Sequence, residues 1–257
     1  MSAARWAVAG GVVGTLLGVL LFAPAAWLAN GLVSATDGRL MLADARGTVW
    51  RGSGVLVLTG GEGSRDASAL PGRLAWRIGY KGGHFTLRLN QACCINGTLN
   101  AEIEPGFGRW AVTLPAAPGA LGQWPAAWLA GLGTPWNTLQ LTGSFTLASQ
   151  GLKVESAQGR VRVEGAAVME LNQVASRLST LAPLGSYRLN VAGGDITRFT
   201  LATTSGPLQL SGSGQWAAAK LRFNGEARAA EGSEAALSNL LNIIGRRQGA
   251  RAIIAIG

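Results

Sequence analysis

The chain has 257 residues, with 22 Lys and Arg against 13 Asp and Glu, which gives a formal net charge of +9. Its 38 glycines and its low share of charged residues, 14%, favour short strands joined by tight turns over a helical fold. The basic residues are scattered and form no known nucleic-acid-binding motif, which argues against a nucleic-acid partner. The positive charge suits anionic lipid or acidic proteins instead, or forms simply a solvated basic surface.

The N-terminal segment is the most apolar part of the chain. No charged residue occurs between Trp6 and Thr36. As a helix, residues 6–29 would be about 36 Å long, enough to cross a hydrocarbon core of about 30 Å. The sequence therefore predicts a single transmembrane helix at residues 6–29. Arg5 precedes the segment and no acidic residue does, so the positive-inside rule places residues 1–5 in the cytoplasm.

The remaining residues, 31–257, are predicted to lie across the membrane as a β-rich domain. A cleavable signal peptide is the alternative to an anchor, because Ala23 and Ala25 are small enough for a cleavage site. Both alternatives export the same domain.

A glycine stripe runs along the predicted anchor. Gly10, Gly14 and Gly18 recur every fourth residue, on one face of a helix. Such a stripe lets a second helix approach closely, so we predict helix packing there. The competing interpretation is that glycine is simply frequent in membrane helices.

Alternation of apolar and polar residues dominates after Asp37. It is clear at residues 73–78, 85–90 and 139–147. A period of two with one polar face predicts half-buried antiparallel strands. Asn96-Gly97 is the strongest turn signal, typical of a type I′ hairpin. The sequence thus predicts an elongated, curved antiparallel β-sheet domain, with a last strand at residues 250–256.

Two stretches interrupt the strand pattern ahead of the C-terminal helix. Residues 115–136 are predicted to form either a lid or a joint between two halves of a sheet, in which Pro125 opens a short helix at 126–132 that stops at Gly133. Residues 169–181 fit either a strand or one face of a helix.

A C-terminal amphipathic helix is the clearest helix of the domain. Ser233 is its predicted N-cap and Gly245 its end. The apolar stripe that would cover the sheet or meet a partner consists of Leu237, Leu240, Leu241 and Ile244.

No group of side chains predicts catalysis, a cofactor or a metal site. The single histidine, His84, lies in a strand-like run, and Glu102 and Glu104 fit ordinary alternation with both acids in water. The adjacent Cys93 and Cys94 leave three states open: two buried thiols, a bridge to each other, or a bridge to another chain. We expect two buried thiols in a strand, since the intervening peptide resists a bridge.

Several short segments resemble a known family, in order and across most of the chain. They follow the apolar N-terminus and comprise residues 47–54 (GTVWRGSG), 176–188 (SRLSTLAPLGSYR), 206–216 (GPLQLSGSGQW), 221–225 (LRFNG) and 240–249 (LLNIIGRRQG). Together they resemble protein N of the bacterial type II secretion system. The resemblance implies an inner-membrane protein with a β-rich periplasmic domain, other inner-membrane subunits of that system as partners, and a role in exporting folded proteins across the outer membrane. It implies no catalytic residues.

Two functions are therefore open. The first is a non-enzymatic assembly subunit of the secretion apparatus. The second is a tethered groove protein that binds lipid or another hydrophobic ligand, since a glycine-rich apolar sheet can hold acyl chains. The tryptophans that would line such a groove, or form core, are Trp76, Trp110, Trp128 and Trp216.

Overall fold

The computed structural model describes residues 3–157, 160–217 and 220–257. The first two residues of the predicted N-terminal tail, 1–5, lie outside the described residues. The helices are α1 (Ala3–Leu21), α2 (Ala25–Ala35), a 3-10 helix (Ala126–Leu132), α3 (Trp136–Leu139) and α4 (Glu234–Ile244). The first eleven strands are β1 (Leu40–Gly47), β2 (Arg51–Thr59), β3 (Ala67–Ala69), β4 (Leu74–Lys81), β5 (His84–Asn90), β6 (Leu99–Gly106), β7 (Arg109–Leu114), β8 (Ala120–Pro125), β9 (Leu141–Ser149), β10 (Leu152–Ala157) and β11 (Arg160–Glu164). The others are β12 (Ala166–Ser176), β13 (Gly185–Ala192), β14 (Thr197–Ser205), β15 (Leu208–Ala217), β16 (Lys220–Ala229), β17 (Arg246–Gln248) and β18 (Arg251–Ile256).

The N-terminal apolar segment forms two helices, whereas the sequence predicts one over residues 6–29. α1 ends at Leu21 and α2 begins at Ala25, with Pro24 between them in an extended conformation (φ −68°, ψ 147°). Proline has no N–H to continue the hydrogen bonds of α1, and its ring disfavours helical geometry at Ala23. In the described part of the chain, no helix combines the length and the apolar character needed to cross a membrane.

The strands form two sheets of nine strands each, and the prediction of one sheet is wrong. The first sheet has the order β1-β2-β4-β5-β6-β7-β10-β11, with β3 paired to β2. The second has the order β17-β18-β16-β15-β14-β13-β12-β9-β8. The strand pairs of both sheets are antiparallel, as the alternation predicts.

Glycine bends carry long strands from one sheet into the other. Only Gln150 and Gly151 separate β9 from β10, and only Gly165 separates β11 from β12. Gly165 has φ +78°, and a Cβ there would collide with the carbonyl of Gly151. Glycine alone tolerates both the left-handed backbone and the close approach. The predicted joint, residues 115–136, begins where the chain passes from β7 in the first sheet to β8 in the second.

Each sheet has one apolar face with its own helical cover. On the first sheet, Ala25 and Ala29 of α2 pack against Leu42, Leu74 and Trp76, and all five are buried. On the second sheet, α3, α4 and the 3-10 helix cover a larger buried cluster. The two cores are separate clusters, so each sheet is stabilised mainly by its own cover.

The interruptions of the strand pattern resolve in different ways. The middle helix has its predicted bounds between Pro125 and Gly133, but it is a 3-10 helix. Residues 169–181 are not helical: β12 continues to Ser176, and a turn follows. The helix-like spacing there reflects a register shift between Leu171 and Val174, which changes the parity of the apolar positions.

The C-terminal helix runs from Glu234 to Ile244, as predicted. The capping at its two ends differs from the prediction. The Ser233 side chain makes no capping hydrogen bond, and Gly245 is extended at φ −167° rather than left-handed. The chain leaves α4 directly into β17, so it needs an extended residue at this point. The predicted last strand is confirmed as β18.

Candidate functional site

The most specific local structure in the protein joins α1 to the first sheet. The turn between β1 and β2 is hydrogen-bonded to the end of α1 and to the residues that follow it. The Trp50 Nε1–H donates to the Leu20 carbonyl at 2.7 Å, and the Val49 N–H donates to the Ala23 carbonyl at 2.9 Å. Trp50 thus caps a carbonyl in the last turn of α1, which has no partner within the helix. We call residues 20–24 and 47–51 together the helix junction.

Trp76 supports the junction from the buried core of the first sheet. Its ring is buried, and its Nε1–H donates to the Val49 carbonyl at 3.0 Å. A Cβ at Gly52 would collide with this ring and would lie 2.6 Å from the Arg46 carbonyl. Glycine is therefore required at position 52 for the Trp76 ring to pack against the turn and bond the Val49 carbonyl. Residues 47–54, one of the five segments that together carry the family resemblance, supply Val49, Trp50 and Gly52 to this contact.

α1 itself is apolar and uncovered. Large side chains on all sides of the helix are exposed; Trp6, for example, is 70% exposed and Leu16 is 63% exposed. No atom lies within 4 Å of a Cβ built on Gly10, Gly14 or Gly18, so no other described part of the chain approaches the glycine stripe. A helix that is apolar on every side needs an apolar surrounding, which the rest of the described chain does not supply.

One edge of the first sheet lies beside the helix junction. β2 begins there at Arg51, and the register Arg51↔Arg77, Tyr80↔Phe85 and Gly106↔Arg109 brings the β4–β5 and β6–β7 turns to the same edge. We call these strand ends and turns the junction edge. The described part of the first sheet exposes five large apolar side chains. Four of them lie along the junction edge: Tyr80, Phe107, Trp110 and Val161. The fifth, Met41, lies elsewhere.

Aromatic contacts link this edge to the junction. The Phe85 ring lies 5.1 Å from the Tyr80 ring and 6.2 Å from the Trp50 ring. Trp110 and Val161 lie on the same face further along, each opposite Ser156 of β10. The apolar surface therefore continues from the end of α1 across the edge.

A row of arginines crosses the opposite, polar face of the sheet. Arg51, Arg77 and Arg88 face one another across β2, β4 and β5, and Asn100 of β6 follows. All three arginines are exposed, and none takes part in an ion pair or a side-chain hydrogen bond among the described residues. Arg77, Arg88 and Asn100 line a surface cleft of about 570 Å³. Like charges directly opposite one another destabilise a sheet, so this row is not explained by folding stability.

A neighbouring pair of arginines, by contrast, shares one carboxylate. Asp44, at φ +49°, accepts hydrogen bonds from Arg46 and from Arg73, the latter at 2.6 Å. These two bonds hold the pKa of the Asp44 carboxyl below its ordinary value. Unlike this pair, Arg51, Arg77 and Arg88 have no carboxylate partner among the described residues.

The predicted stripe on α4 is turned into the second core. Leu237, Leu240 and Leu241 are buried, and Ile244 is partly buried against the same cluster. These side chains cover the sheet, which leaves them inaccessible to a partner in this arrangement.

The two cysteines form a disulfide with each other, so the expectation of buried thiols in a strand is wrong. They lie in the turn between β5 and β6, where Cys93 is exposed and Cys94 is buried. A turn imposes no extended backbone, so the geometric objection that applies in a strand does not apply here. The Cys94 carbonyl accepts the Gln123 N–H at 2.8 Å, which ties this turn to β8 of the second sheet.

The residues considered for chemistry are not brought together. His84 is half-buried at the start of β5, and Glu102 and Glu104 are exposed on β6. Glu104 pairs with Lys153 at 3.2 Å. In the described ranges, no three His, Cys, Asp or Glu side chains converge as metal ligands.

The four tryptophans considered for a groove differ in environment. Trp76 lies in the first core, Trp128 lies on the 3-10 helix, and Trp110 and Trp216 are exposed at strand ends. Trp216 lines a cleft together with Val161. The Trp128 Nε1–H is buried without a hydrogen-bond partner among the described residues.

These features define a class of protein: a two-sheet antiparallel β domain held end-on by an apolar helix through a dedicated turn. A family model described as type II secretion system (T2SS), protein N matches residues 38–254. The chain belongs to this family, and the resemblance seen in the sequence is confirmed. Searches of curated proteins and of solved structures return no significant match. Membership makes the chain a component of type II secretion, associated with other components of that system.

Proposed function

We propose that the protein is a non-enzymatic subunit that the apolar N-terminal segment, residues 6–29, holds at the bacterial inner membrane. Residues 31–257 then lie in the periplasm. There the domain supports the export of folded proteins across the outer membrane by assembling or stabilising the other inner-membrane subunits. The observation that carries this proposal is the helix junction, because it fixes an uncovered apolar helix to a domain of the secretion family.

α1 supplies the physical reason for membrane attachment. Its exposed side chains would present a large apolar surface to water, which soluble monomers avoid. A bilayer removes that cost, at about 25 cal/mol for each Å² of apolar surface withdrawn from water. The junction then sets how the domain sits relative to the membrane, which is what a scaffold subunit requires.

The topology is testable with reporters. A periplasm-active reporter fused after Gly257 should be active, and the same fusion to a cytoplasm-active reporter should be silent. Protein that is extracted from the membrane fraction by carbonate would contradict the anchor. The reverse reporter pattern would contradict the orientation.

The role in secretion is testable by deletion. Cells that lack the protein should accumulate normally exported proteins, folded, in the periplasm, or should hold the other inner-membrane subunits at lower levels. The substitutions His84→Ala and Glu102→Gln should leave secretion unchanged, since neither side chain has partners for catalysis within residues 3–157, 160–217 and 220–257. Loss of secretion by either variant at normal abundance would contradict the non-enzymatic proposal.

Lipid or hydrophobe binding is the second candidate. It is favoured by one observation: the apolar face of the first sheet extends beyond the cover of α2 as a half-buried row across five strands, formed by Phe85, Ile103, Val112, Val154 and Val163. Native mass spectrometry of the detergent-extracted protein separates the candidates. Retained lipid supports the groove, and retained secretion subunits support the assembly role.

A further inference from the structure

The junction edge and the arginine row point to a surface that no catalytic or structural role explains. The inference rests on the proposed membrane attachment and adds what the β domain itself does at the membrane. Three observations support the inference: the position of the junction edge, the side chains exposed there, and the charges on the polar face next to it.

The position of the edge follows from the hydrogen bond between Trp50 and Leu20. Because this bond joins the last turn of α1 to the start of β2, whatever surrounds α1 lies next to the junction edge. The β4–β5 and β6–β7 turns lie at the same end of the sheet and extend beyond this contact, since β4 continues to Lys81, past Arg77, the partner of Arg51. The β5–β6 turn lies at the other end of the sheet, about 23 Å away for the seven residues of β5.

The side chains at the edge are of the kind that favours a lipid–water boundary. Tyr80 is 67% exposed, Trp110 is 46% exposed, and Phe107 protrudes fully from the tip of the β6–β7 turn. Rings with one apolar and one polar end are enriched at headgroup level. Lys81 and Arg109 flank the two turns, and both are exposed.

The charge behind the edge complements an anionic surface. Arg51, Arg77 and Arg88 form the row nearest the junction on the polar face. On one side of the row, Asp44 is engaged by Arg46 and Arg73. The other carboxylates of this face lie on the other side, on β6 and further strands, where Glu104 is engaged by Lys153. Guanidinium groups bind phosphate through two parallel hydrogen bonds, and a basic surface next to a membrane is drawn to anionic lipid.

We propose that the junction edge docks on the bilayer that holds α1. Tyr80, Phe107 and Trp110 lie at headgroup level, and the arginine row binds the phosphates of anionic lipids. The domain is then held at the membrane at two places, the junction and the edge, rather than swinging freely from one helix.

The experiment uses the full chain in vesicles of phosphatidylcholine alone or of phosphatidylcholine with phosphatidylglycerol. A photo-crosslinking residue, benzoylphenylalanine, replaces Phe107, and in a control protein it replaces Asn96 in the β5–β6 turn. We expect lipid adducts from position 107 and none from position 96. Equal labelling at both positions, or none at 107, would overturn the docking.

The arginine row is tested in the same vesicles. Arg51→Gln, Arg77→Gln and Arg88→Gln together should lower adduct yield with phosphatidylglycerol by about tenfold or more, and should change it little with phosphatidylcholine. The matched control removes the same charge from exposed arginines of the second sheet, through Arg198→Gln, Arg222→Gln and Arg228→Gln, and should behave like the unmodified chain. Equal losses in both triple variants would show a general charge effect and overturn the assignment to this row.

Two further readouts distinguish docking of the edge from attachment through α1 alone and from binding of a different anion. Flotation with phosphatidylcholine vesicles reports attachment through α1 alone, so flotation without adducts at position 107 rejects the docking and leaves the anchor standing. Failure to float rejects the anchor.

If inorganic phosphate at the lipid concentration abolishes the phosphatidylglycerol effect, the row is a free-phosphate site and the lipid assignment is wrong. No preference for phosphatidylglycerol would leave an acidic protein as the occupant and overturn the lipid assignment.

Discussion

Trp50 and Trp76 use their indole N–H groups to tie distant parts of the chain to one turn. Trp50 holds the end of α1, and Trp76 holds the Val49 carbonyl from within the first core. Both bonds satisfy carbonyls that have no partner in a helix or strand ladder. At the scale of single residues, the segment 47–54 is recognisable in the sequence, but its contact with Leu20 is not, because the two lie 30 residues apart.

Gly52→Val tests the fit beneath the junction. The added side chain would overlap the Trp76 ring and crowd the Arg46 carbonyl, so we expect a loss of about 1–3 kcal/mol in the free energy of unfolding. Gly119→Val is the control, since a Cβ at Gly119 has no neighbour within 4 Å. Equal denaturation midpoints for the two variants would show that the close packing is unimportant.

Asp44→Asn tests the carboxylate that Arg46 and Arg73 share. Asparagine tolerates the left-handed backbone at this position, so the variant removes charge and little else. The folded-state pKa of Asp44 is lowered, so its stabilising contribution is present above the ordinary value of 3.8 and is lost as the pH falls through the folded pKa. We expect a lower melting temperature for the variant at pH 7, and no difference from the unmodified chain well below pH 3.8. A difference that persists in acid would exclude the carboxylate charge as its cause.

At the scale of elements, α4 shows how far periodicity reaches. Its apolar stripe predicts the bounds and the buried face, because period 3.6 leaves only one face that can be withdrawn from water. Periodicity does not predict the capping or the backbone conformation at its ends. The chain turns directly from α4 into β17, and this tertiary path, rather than a local cap, sets the extended conformation of Gly245.

Leu240→Asp tests the cover of the second sheet. The side chain is 1% exposed, so the variant loses its apolar burial and places a charge in the core, at a cost of about 3 kcal/mol or more. Asn242→Asp adds the same charge at an exposed position of α4 and should change the melting temperature little. Similar melting curves for both variants would contradict the burial.

Gly14→Ile tests the glycine stripe of α1. If a partner helix packs there, the larger side chain should weaken association by about 1 kcal/mol or more. Val12→Ile is the matched control, because Val12 lies on another face of α1. A membrane reporter of helix association measures both. No change for Gly14→Ile would assign the glycines to composition alone.

At the scale of the whole molecule, two sheets with separate cores are joined by strands that bend at glycines. Each core has its own helices, α2 on the first sheet and α4 with the 3-10 helix and α3 on the second. Separate cores allow one sheet to open while the other stays folded. The coupling between them runs through the bends at residues 150–151 and 165, through the hydrogen bond from the Gln123 N–H to the Cys94 carbonyl, and through the 3-10 helix, which also contacts β2 and β3 of the first sheet.

Hydrogen exchange of the Leu240→Asp variant tests this independence. Protection should fall across β13 to β16 and β18, and β2, β4 and β5 should stay protected, since α2 and the first core are unchanged. The unmodified chain under the same conditions is the reference. A uniform loss of protection in both sheets would show that the two cores unfold as a single unit.

The sequence by itself determined the strand-rich antiparallel character, the family, the bounds of α4 and the apolar N-terminus. These follow from local periodicity and composition, which act over a few residues. Only the tertiary structure decided that the strands divide into two sheets, that Pro24 breaks the N-terminal helix, and that Cys93 and Cys94 bond to each other. It alone also brought Trp50 to Leu20 and aligned Arg51, Arg77 and Arg88. Such contacts depend on strand register and on glycine bends, and register is fixed by packing between segments far apart in the chain.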